Sequence, residues 1–275
     1  MNIDPNTAIG TGLAILGSKD ILNRMLGPTA EYIGDEAKTL VEKANVNLGE
    51  IFRKAAKKLG PKMDESGAVN ARVFKQVWQE GAFIEDALAA EYFGGLLAAA
   101  RSPDGKDDRA LSLISTVRDL SVFDLRLHFL LYTLVRQLFL GREFSVAVQE
   151  DRVRAGICVP FRVYVKAMGI TNEPSAMELL AHSLITLTKH ELVDHRFAMG
   201  TADKLTPFCR EASETGIVMI PSFFGAELFF FAHGYGEQRL DQFLNPELDF
   251  DSEIELEIED GTIPLKPEPG PEGTG

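Results

Sequence analysis

The segment from His190 to His195, His-Glu-Leu-Val-Asp-His, is the part of the chain that most resembles a metal-binding motif. Zinc proteases place two histidines four residues apart on a helix, so that both imidazoles reach the metal from one face. Here the second histidine follows the first by five residues, which turns it away by about 140° on a helix. The spacing predicts the end of a helix, and we expect no metal and no cofactor.

The other residues with catalytic chemistry also favour structural roles. The two cysteines, Cys158 and Cys209, have no histidine close in sequence, and their number and distance indicate a reducing compartment or a chain that is indifferent to oxidation. The sequence contains no glycine-rich phosphate-binding loop. Histidines within apolar segments predict core or surface positions: His128, His182 and His233. Acids on one predicted helix indicate a solvated or ion-paired face: Glu85, Asp86 and Glu91. We therefore expect no enzyme activity.

Helices are the elements predicted to hold most of these residues. Asp4-Pro5 starts a short helix that ends near Leu16, and a longer one begins at Pro28 and ends at Leu59, before Gly60-Pro61. Lysines in its last turns favour a solvated face that complements the helix dipole over the alternative of a basic phosphate-binding patch: Lys54, Lys57 and Lys58. Further helices are predicted over 72–79, 84–100, 109–117 and 125–140. Ser121 and Asp124 form a predicted capping box before the last of them.

From residue 159 onward the pattern changes to helix, turn, helix, strand, loop, strand. The predicted helices cover 162–168 and 175–189, the second beginning at a Ser175–Glu178 capping box, and the predicted strands cover 192–199 and 217–220. A last helix starts at Ser222. This order is typical of a winged helix-turn-helix. Its second helix has one permanent cation, Lys189, and is otherwise rich in leucine, which argues against a DNA-reading role.

The end of the chain is strongly acidic. Ten acids and one base lie between Pro246 and Gly275, so the other 245 residues carry a net charge of only −4. The proline-rich end, Pro264 to Gly273, predicts disorder. Before it, acids and apolar residues alternate with the period of a strand, which predicts an edge strand or a partner-binding segment: Glu253, Ile254, Glu255, Leu256, Glu257 and Ile258. The alternative is a tail that only improves solubility.

The predicted fold class is mainly α. We expect a multi-helix body over residues 1–150, a winged-helix-like α+β region over 151–245 and an acidic, largely disordered tail over 246–275. The chain has 275 residues, 45% of them hydrophobic, which excludes collagen, a wholly disordered chain and a disulfide scaffold. Its formal net charge of −13 argues against a protein that coats nucleic acid.

The apolar stretches of the chain do not predict a membrane or secreted protein. No basic segment precedes Ala8 to Leu16, so we expect no secretory signal and a cytoplasmic location. The longest apolar stretch, Gly216 to Gly234, contains Pro221 and Glu227. A proline and a carboxylate there favour a strand and a buried helix over a membrane span.

Three parts of the sequence resemble the abortive infection alpha (Abi-alpha) domain family. Ile21 to Gly34, with its Leu-Gly-Pro, resembles the opening of that domain, and Ile84 to Ala100 followed by Leu120 to Asp124 resembles its centre. Ile217 to Gly225 is similar to its closing strand and helix. The likeness covers roughly residues 20 to 235 and consists of turns and helix caps. It implies a bacterial or phage-linked defence role and brings no catalytic residues.

Together these observations predict an abortive-infection-type phage defence protein that acts by contact with a protein partner. Two alternatives remain open: a winged-helix regulator that binds DNA, and an effector that perturbs membranes through Ala8 to Leu16 or through the helix from Phe223 to Phe231. A homo-oligomer through the helix from Pro28 to Leu59 is compatible with the sequence, but no strict heptad repeat fixes its state.

Overall fold

The computed structural model describes residues 46–250 and 252–265. The chain divides into two compact units: unit 1 extends to Asp119 and includes Phe231–Glu237, and unit 2 contains Leu120–Phe230 and the chain from Gln238 onward. The expected borders at residues 150 and 245 do not coincide with these divisions. The predicted helix from Pro5 to Leu16, and the first part of the one from Pro28, lie outside the described residues.

Unit 1 is built from helices around an apolar core. Within the described residues its helices are α1 (Val46–Leu59, from the first described residue), α2 (Ala71–Gly81), α3 (Ala87–Ala99) and α4 (Ala110–Asp119). Strands β1 (Ala68–Val69) and β2 (Arg101–Ser102) form a short antiparallel pair. Helix α1 ends at Leu59, where Gly60-Pro61 predicted its end. Its apolar face, including Ile51, Phe52 and Ala55, is buried within the protein.

Helices α1 and α3 pack closely enough to bury charged side chains between them. A Cβ at Gly94 would lie 2.8 Å from the Cβ of Lys54, so glycine permits this approach. The Nζ atoms of Lys54 and Lys58 lie 2.6 and 2.5 Å from the two carboxylate oxygens of Glu91. The predicted solvated face for Lys54 and Lys58 is therefore wrong, because both side chains are buried by α3. Of the two interpretations of Glu91, the ion-paired one is confirmed.

Unit 2 combines helices with a four-stranded antiparallel sheet. Its helices are α5 (Val122–Phe139), α6 (Gln149–Arg154), α7 (Phe161–Met168), α8 (Glu173–Lys189), α9 (Ala202–Leu205) and α10 (Phe223–Ala232), the last of which ends in unit 1. Its strands are β3 (Ile157–Pro160), β4 (Ala198–Gly200), β5 (Gly216–Met219) and β6 (Ile263–Pro264). The strand order in the sheet is β4-β5-β3-β6.

Most helix boundaries in unit 2 follow local sequence, but two predictions there need correction. The capping box of Ser121 and Asp124 is present at the start of α5. Helix α8 begins at Glu173, two residues before the predicted cap, so Ser175 lies inside its first turn. In place of the single strand predicted over 192–199, the structure has the short strand β4 and an isolated bridge between Val193 and Pro221.

A polar network is buried where α5 meets the start of α10. His128 is fully buried, and its Nε2 lies 3.0 Å from the carbonyl oxygen of Gly225, so this nitrogen must donate. Next to it, the Tyr132 hydroxyl donates to the carbonyl of Leu192 at 2.7 Å and accepts from the Ser222 amide at 3.0 Å. Burial lowers the pKa of His128 to about 3, partly opposed by the bond to Gly225. The imidazole is therefore neutral in the folded protein.

The neutral His128 makes stability depend on pH. Its pKa falls from 6.5 to about 3 on folding, so below pH 6.5 the unfolded chain takes up a proton that the folded chain excludes. We expect the free energy of unfolding to fall by up to about 1.4 kcal/mol for each pH unit between 6 and 4 through this group. The variant His128→Gln keeps a donor for Gly225 and should lose this part of the slope. Urea unfolding at several pH values measures it, and identical slopes in the two proteins would contradict it.

Candidate protein-docking groove

A groove of about 670 Å³ runs along helix α7 in unit 2. One wall consists of α7 and the turn after it, including Phe161, Val165 and Ile170. The opposite wall contains Glu214 and two acids of the tail, Glu257 and Glu259. The groove thus joins apolar surface to charges of both signs, a combination typical of surfaces that bind polypeptide segments.

Two cations on α7 hold alternate acids of the tail. The Lys166 Nζ lies 3.0 Å from a carboxylate oxygen of Glu257, and an Arg162 nitrogen lies 3.1 Å from one of Glu259. Arg162 also donates to the carbonyl of Asp260 at 2.9 Å and pairs with Glu214 at 3.3 Å. These hydrogen bonds raise the pKa of Lys166, chiefly through Glu257, and of Arg162, chiefly through Glu259.

The spacing of these partners follows from the geometry of helix and extended chain. Residues four apart on a helix lie about 6 Å apart along its axis, and residues two apart on an extended chain lie about 6.6 Å apart. Lys166 and Arg162 therefore match every second residue of a segment that runs antiparallel to α7. This geometry recognises acids at alternate positions of an extended polypeptide.

The predicted partner-binding segment lies partly in this groove. Its apolar residues are half-buried and its acids are exposed, in the predicted alternation: Ile254, Leu256 and Ile258 against Glu253, Glu255 and Glu257. The edge strand predicted over 253–258 is absent from the described residues, which form β6 at Ile263–Pro264 instead. Of the six residues, Glu257 forms an ion pair in the groove, with Lys166. Sequence reasoning missed Arg162 and Lys166, although two cations four apart were a usable signal.

Apolar residues anchor the tail on both sides of its acidic stretch. Leu265 is buried in a cluster with Cys158, Leu205 and Val218, and its amide donates to the carbonyl of Gly156 at 2.8 Å. At the other end, Phe250 stacks on Phe229 with 5.8 Å between ring centroids. The sequence predicted disorder from Pro264, but Pro264 lies in β6 and Leu265 in this cluster. Residues 266–275 lie outside the described part.

The anchors and the ion pairs differ in strength. Lys166 and Glu257 are 48% and 76% exposed, and water screens an exposed ion pair so that it adds little to stability. Full burial of a leucine contributes about 1.5–3 kcal/mol. Burial of Leu265 therefore holds the tail more strongly than either ion pair does.

The other sequence-predicted candidates do not form a second site. His195 is exposed and lies 3.5 Å from Asp194, while His190 is the C-cap of α8. Within residues 46–250 and 252–265, no cluster of three His, Cys, Asp or Glu side chains could hold a metal ion. Both cysteines are buried and free, and burial, followed by the neighbouring Cys209, raises the pKa of Cys158 to about 12. In the same part of the chain, no helix is long and apolar enough to cross a membrane.

The outward face of α8 carries little positive charge. Among the side chains described, which in α8 are those from Ser175 onward, the exposed ones are spaced at three and four: Glu178, His182, Ile185 and Lys189. Ile185 is 62% exposed. The loop between β4 and β5 adds Lys204 and Arg210, but also Asp203, Glu211 and Glu214. Neither surface has the excess of cations that phosphate contacts require.

Comparisons with family models, curated proteins and solved structures found no match to this chain.

The unequal anchors predict how the tail is released. Leu265→Ala should increase the rate at which a glutamate-specific protease cleaves residues 253–260 by more than tenfold. The reason is that burial of a leucine side chain stabilises the attached tail by about 1.5–3 kcal/mol, and the substitution removes most of that free energy. Lys166→Gln should increase it by less than about fivefold, and 0.5 M salt should act similarly on the unchanged chain. The control is Leu140→Ala, an exposed leucine outside the tail. Equal cleavage of the Leu265→Ala and unchanged proteins would contradict the assignment.

Proposed function

We propose that this chain is a phage defence protein of abortive-infection type that acts by binding a protein partner, without catalytic chemistry of its own. The resemblance of Leu26-Gly27-Pro28, Leu120 to Asp124 and Pro221 to Gly225 to the Abi-alpha domain supports the defence role. The observation that carries the protein-binding role is the α7 groove, where Arg162 and Lys166 hold alternate acids of an extended segment.

We further propose that unit 2 is a winged helix used for protein contact. The order α7, α8, β4, loop, β5 supports this, as does the sheet order β4-β5-β3, in which β3 precedes the helix pair. In such a fold α8 would be the helix presented to DNA. From Ser175 onward, where its side chains are described, its exposed residues offer one acid, Glu178, and one permanent cation, Lys189. That composition favours a protein partner over a DNA phosphate backbone.

The partner expected from the groove is an acidic, extended polypeptide segment. Such a segment has carboxylates at every second position and apolar residues between them, as the tail has. Because the tail already occupies this surface, a partner must displace it or bind beside it. Because the ion pairs at the groove are exposed, displacing the acidic segment costs little free energy. The buried Leu265 keeps the tail attached at its end.

A phage challenge tests the proposal. Bacteria that express the chain should give fewer plaques than bacteria without it for at least one phage in a broad panel. The double variant Arg162→Glu/Lys166→Glu should lose this protection, because it reverses the charge of the groove. The matched control Lys189→Glu/Lys204→Glu makes the same charge change on the α8 and loop surface and should keep protection.

Two results would contradict the proposal. Equal plaque numbers with and without the gene across the whole panel would reject the defence role. Protection that survives the groove variant but is lost in the Lys189→Glu/Lys204→Glu variant would favour the DNA-binding alternative. A salt-dependent mobility shift with duplex DNA would then be expected for the unchanged chain.

A further inference from the structure

The contacts that unit 2 makes with the acidic tail lie along one continuous line. On the unit 2 side, the contacting residues follow in descending order: Lys166, Arg162, Cys158, Ile157 and Gly156. Their partners in the tail follow in ascending order: Glu257, Glu259, Ile263, Pro264 and Leu265. The α7 groove therefore continues into the outer edge of β3, and we call the combined surface from Gly156 to Lys166 the α7–β3 surface.

The middle of the α7–β3 surface is a buried strand edge. Ile157 and Cys158 are buried and pair antiparallel with β6, while β5 pairs along the other edge of β3. If the tail leaves, the backbone groups that face β6 lose their partners, which costs free energy in a buried strand. A second extended segment that pairs with this edge replaces those contacts. Recognition of this kind is strand addition.

The end of the α7–β3 surface is a pocket for one leucine. Leu265 packs there against Cys158, Leu205 and Val218. Gly156 leaves the space that this side chain needs, because a Cβ at Gly156 would lie 2.7 Å from the Cδ1 atom of Leu265. Close packing of this kind favours a side chain with the size and shape of leucine.

A glycine connects the acidic part of the tail to its strand. Gly261 has a φ of +124°, a conformation that residues with a side chain rarely adopt. A Cβ at this position would also clash with the guanidinium of Arg162. The same guanidinium pairs with Glu259 and donates to the carbonyl of Asp260. A segment that passes from α7 to β3 therefore needs a glycine two residues after its second paired acid.

We propose that the α7–β3 surface binds its protein partner by strand addition, and that the partner segment has acid, acid, glycine, apolar residue and leucine at alternate positions. This inference rests on the proposed protein-contact function and specifies the segment that is recognised. The tail has the same pattern: Glu257, Glu259, Gly261, Ile263 and Leu265. A partner with the acids alone replaces only the ion-paired part of the tail. A partner with the whole pattern also replaces β6 and Leu265.

The tail and the partner compete for the same surface. A segment tethered to its own binding site acts at an effective concentration of roughly millimolar, so the tail excludes segments that bind weakly. Leu265→Ala weakens the tail and leaves every residue of the α7–β3 surface unchanged. This substitution should therefore increase the affinity of the full chain for a partner segment.

A fluorescent synthetic peptide with the sequence of residues 252–265 is the probe, titrated with the full chain. It should bind the Leu265→Ala protein about tenfold more tightly than the unchanged protein, because the competing tail is weaker. The control protein Leu140→Ala, changed at an exposed leucine outside the tail, should bind the peptide as the unchanged protein does. A peptide of the same composition in scrambled order should not compete with the probe.

Substitutions in the peptide test the pattern without affecting the fold of the protein. The peptide with Leu265→Ala should bind at least about tenfold more weakly, because the leucine pocket stays unfilled. The peptide with Glu257→Gln and Glu259→Gln should bind less than about fivefold more weakly, since these ion pairs are exposed.

Amide exchange in the unchanged protein gives a second test that needs no protein variant. With an isotope-labelled chain and an excess of unlabelled peptide, the Leu265 amide of the chain should exchange faster, because the peptide takes its place beside Gly156. The scrambled peptide should leave this exchange rate unchanged.

Three results would overturn the proposal: no binding of the probe to the folded Leu265→Ala protein up to about 1 mM, equal binding of the probe and the scrambled peptide, or no effect of the peptide on exchange at Leu265. These results are independent of the phage challenge. Specific peptide binding without phage protection would reject the defence role alone. Protection that requires Arg162 and Lys166, without peptide binding, would reject strand addition alone.

Discussion

Strand β3 is paired along both edges, and this constraint determines the arrangement of the candidate groove. All four of its residues, Ile157–Pro160, are buried, so neither edge can leave its backbone groups without hydrogen-bond partners. Strand β5 pairs along one edge and β6, from the tail, along the other. Because α7 begins at Phe161, directly after β3, a tail that returns to β3 must pass beside α7. The acidic segment reaches Arg162 and Lys166 for this reason.

The contacts of the acidic tail argue against a purely solubilising role. A tail that only improves solubility needs neither a buried leucine nor an aromatic contact. In this chain Leu265 and Phe250 both pack against apolar clusters of unit 2. The described part of the tail thus packs on unit 2 through these two residues and forms ion pairs with α7. We propose that its function is to keep the groove occupied until an acidic partner competes for it.

The sequence predicted the helices well because their signals are local. Gly60-Pro61 stops α1, and the capping box of Ser121 and Asp124 starts α5. The position of β6 has no local signal, since Ile263-Pro264 gains its strand geometry only by pairing with residues more than a hundred positions earlier. The alternation over 253–258 indicated correctly which side chains would be half-buried. The edge strand that the same alternation predicted does not form, because no strand among the described residues pairs with that segment.

Buried charges were the other feature that sequence could not predict. Lys54, Lys58 and Glu91 have the residue types of solvated helix surfaces, and they are buried because Gly94 lets α3 approach α1 closely. Arg101 likewise follows a helix end where a basic residue is ordinary. Only the fold shows that no carboxylate reaches it within the described residues.

Hydrogen exchange of the full chain tests the central claim most directly, namely that the tail is fixed by its end in the sheet and only weakly along its acidic part. The Leu265 amide, bonded to the Gly156 carbonyl, should exchange slowly, with protection close to that of β3 and β5. The amides of 253–258 should exchange much faster and more so at high salt. Uniformly fast exchange over 252–265, with no protection at Leu265, would contradict the account.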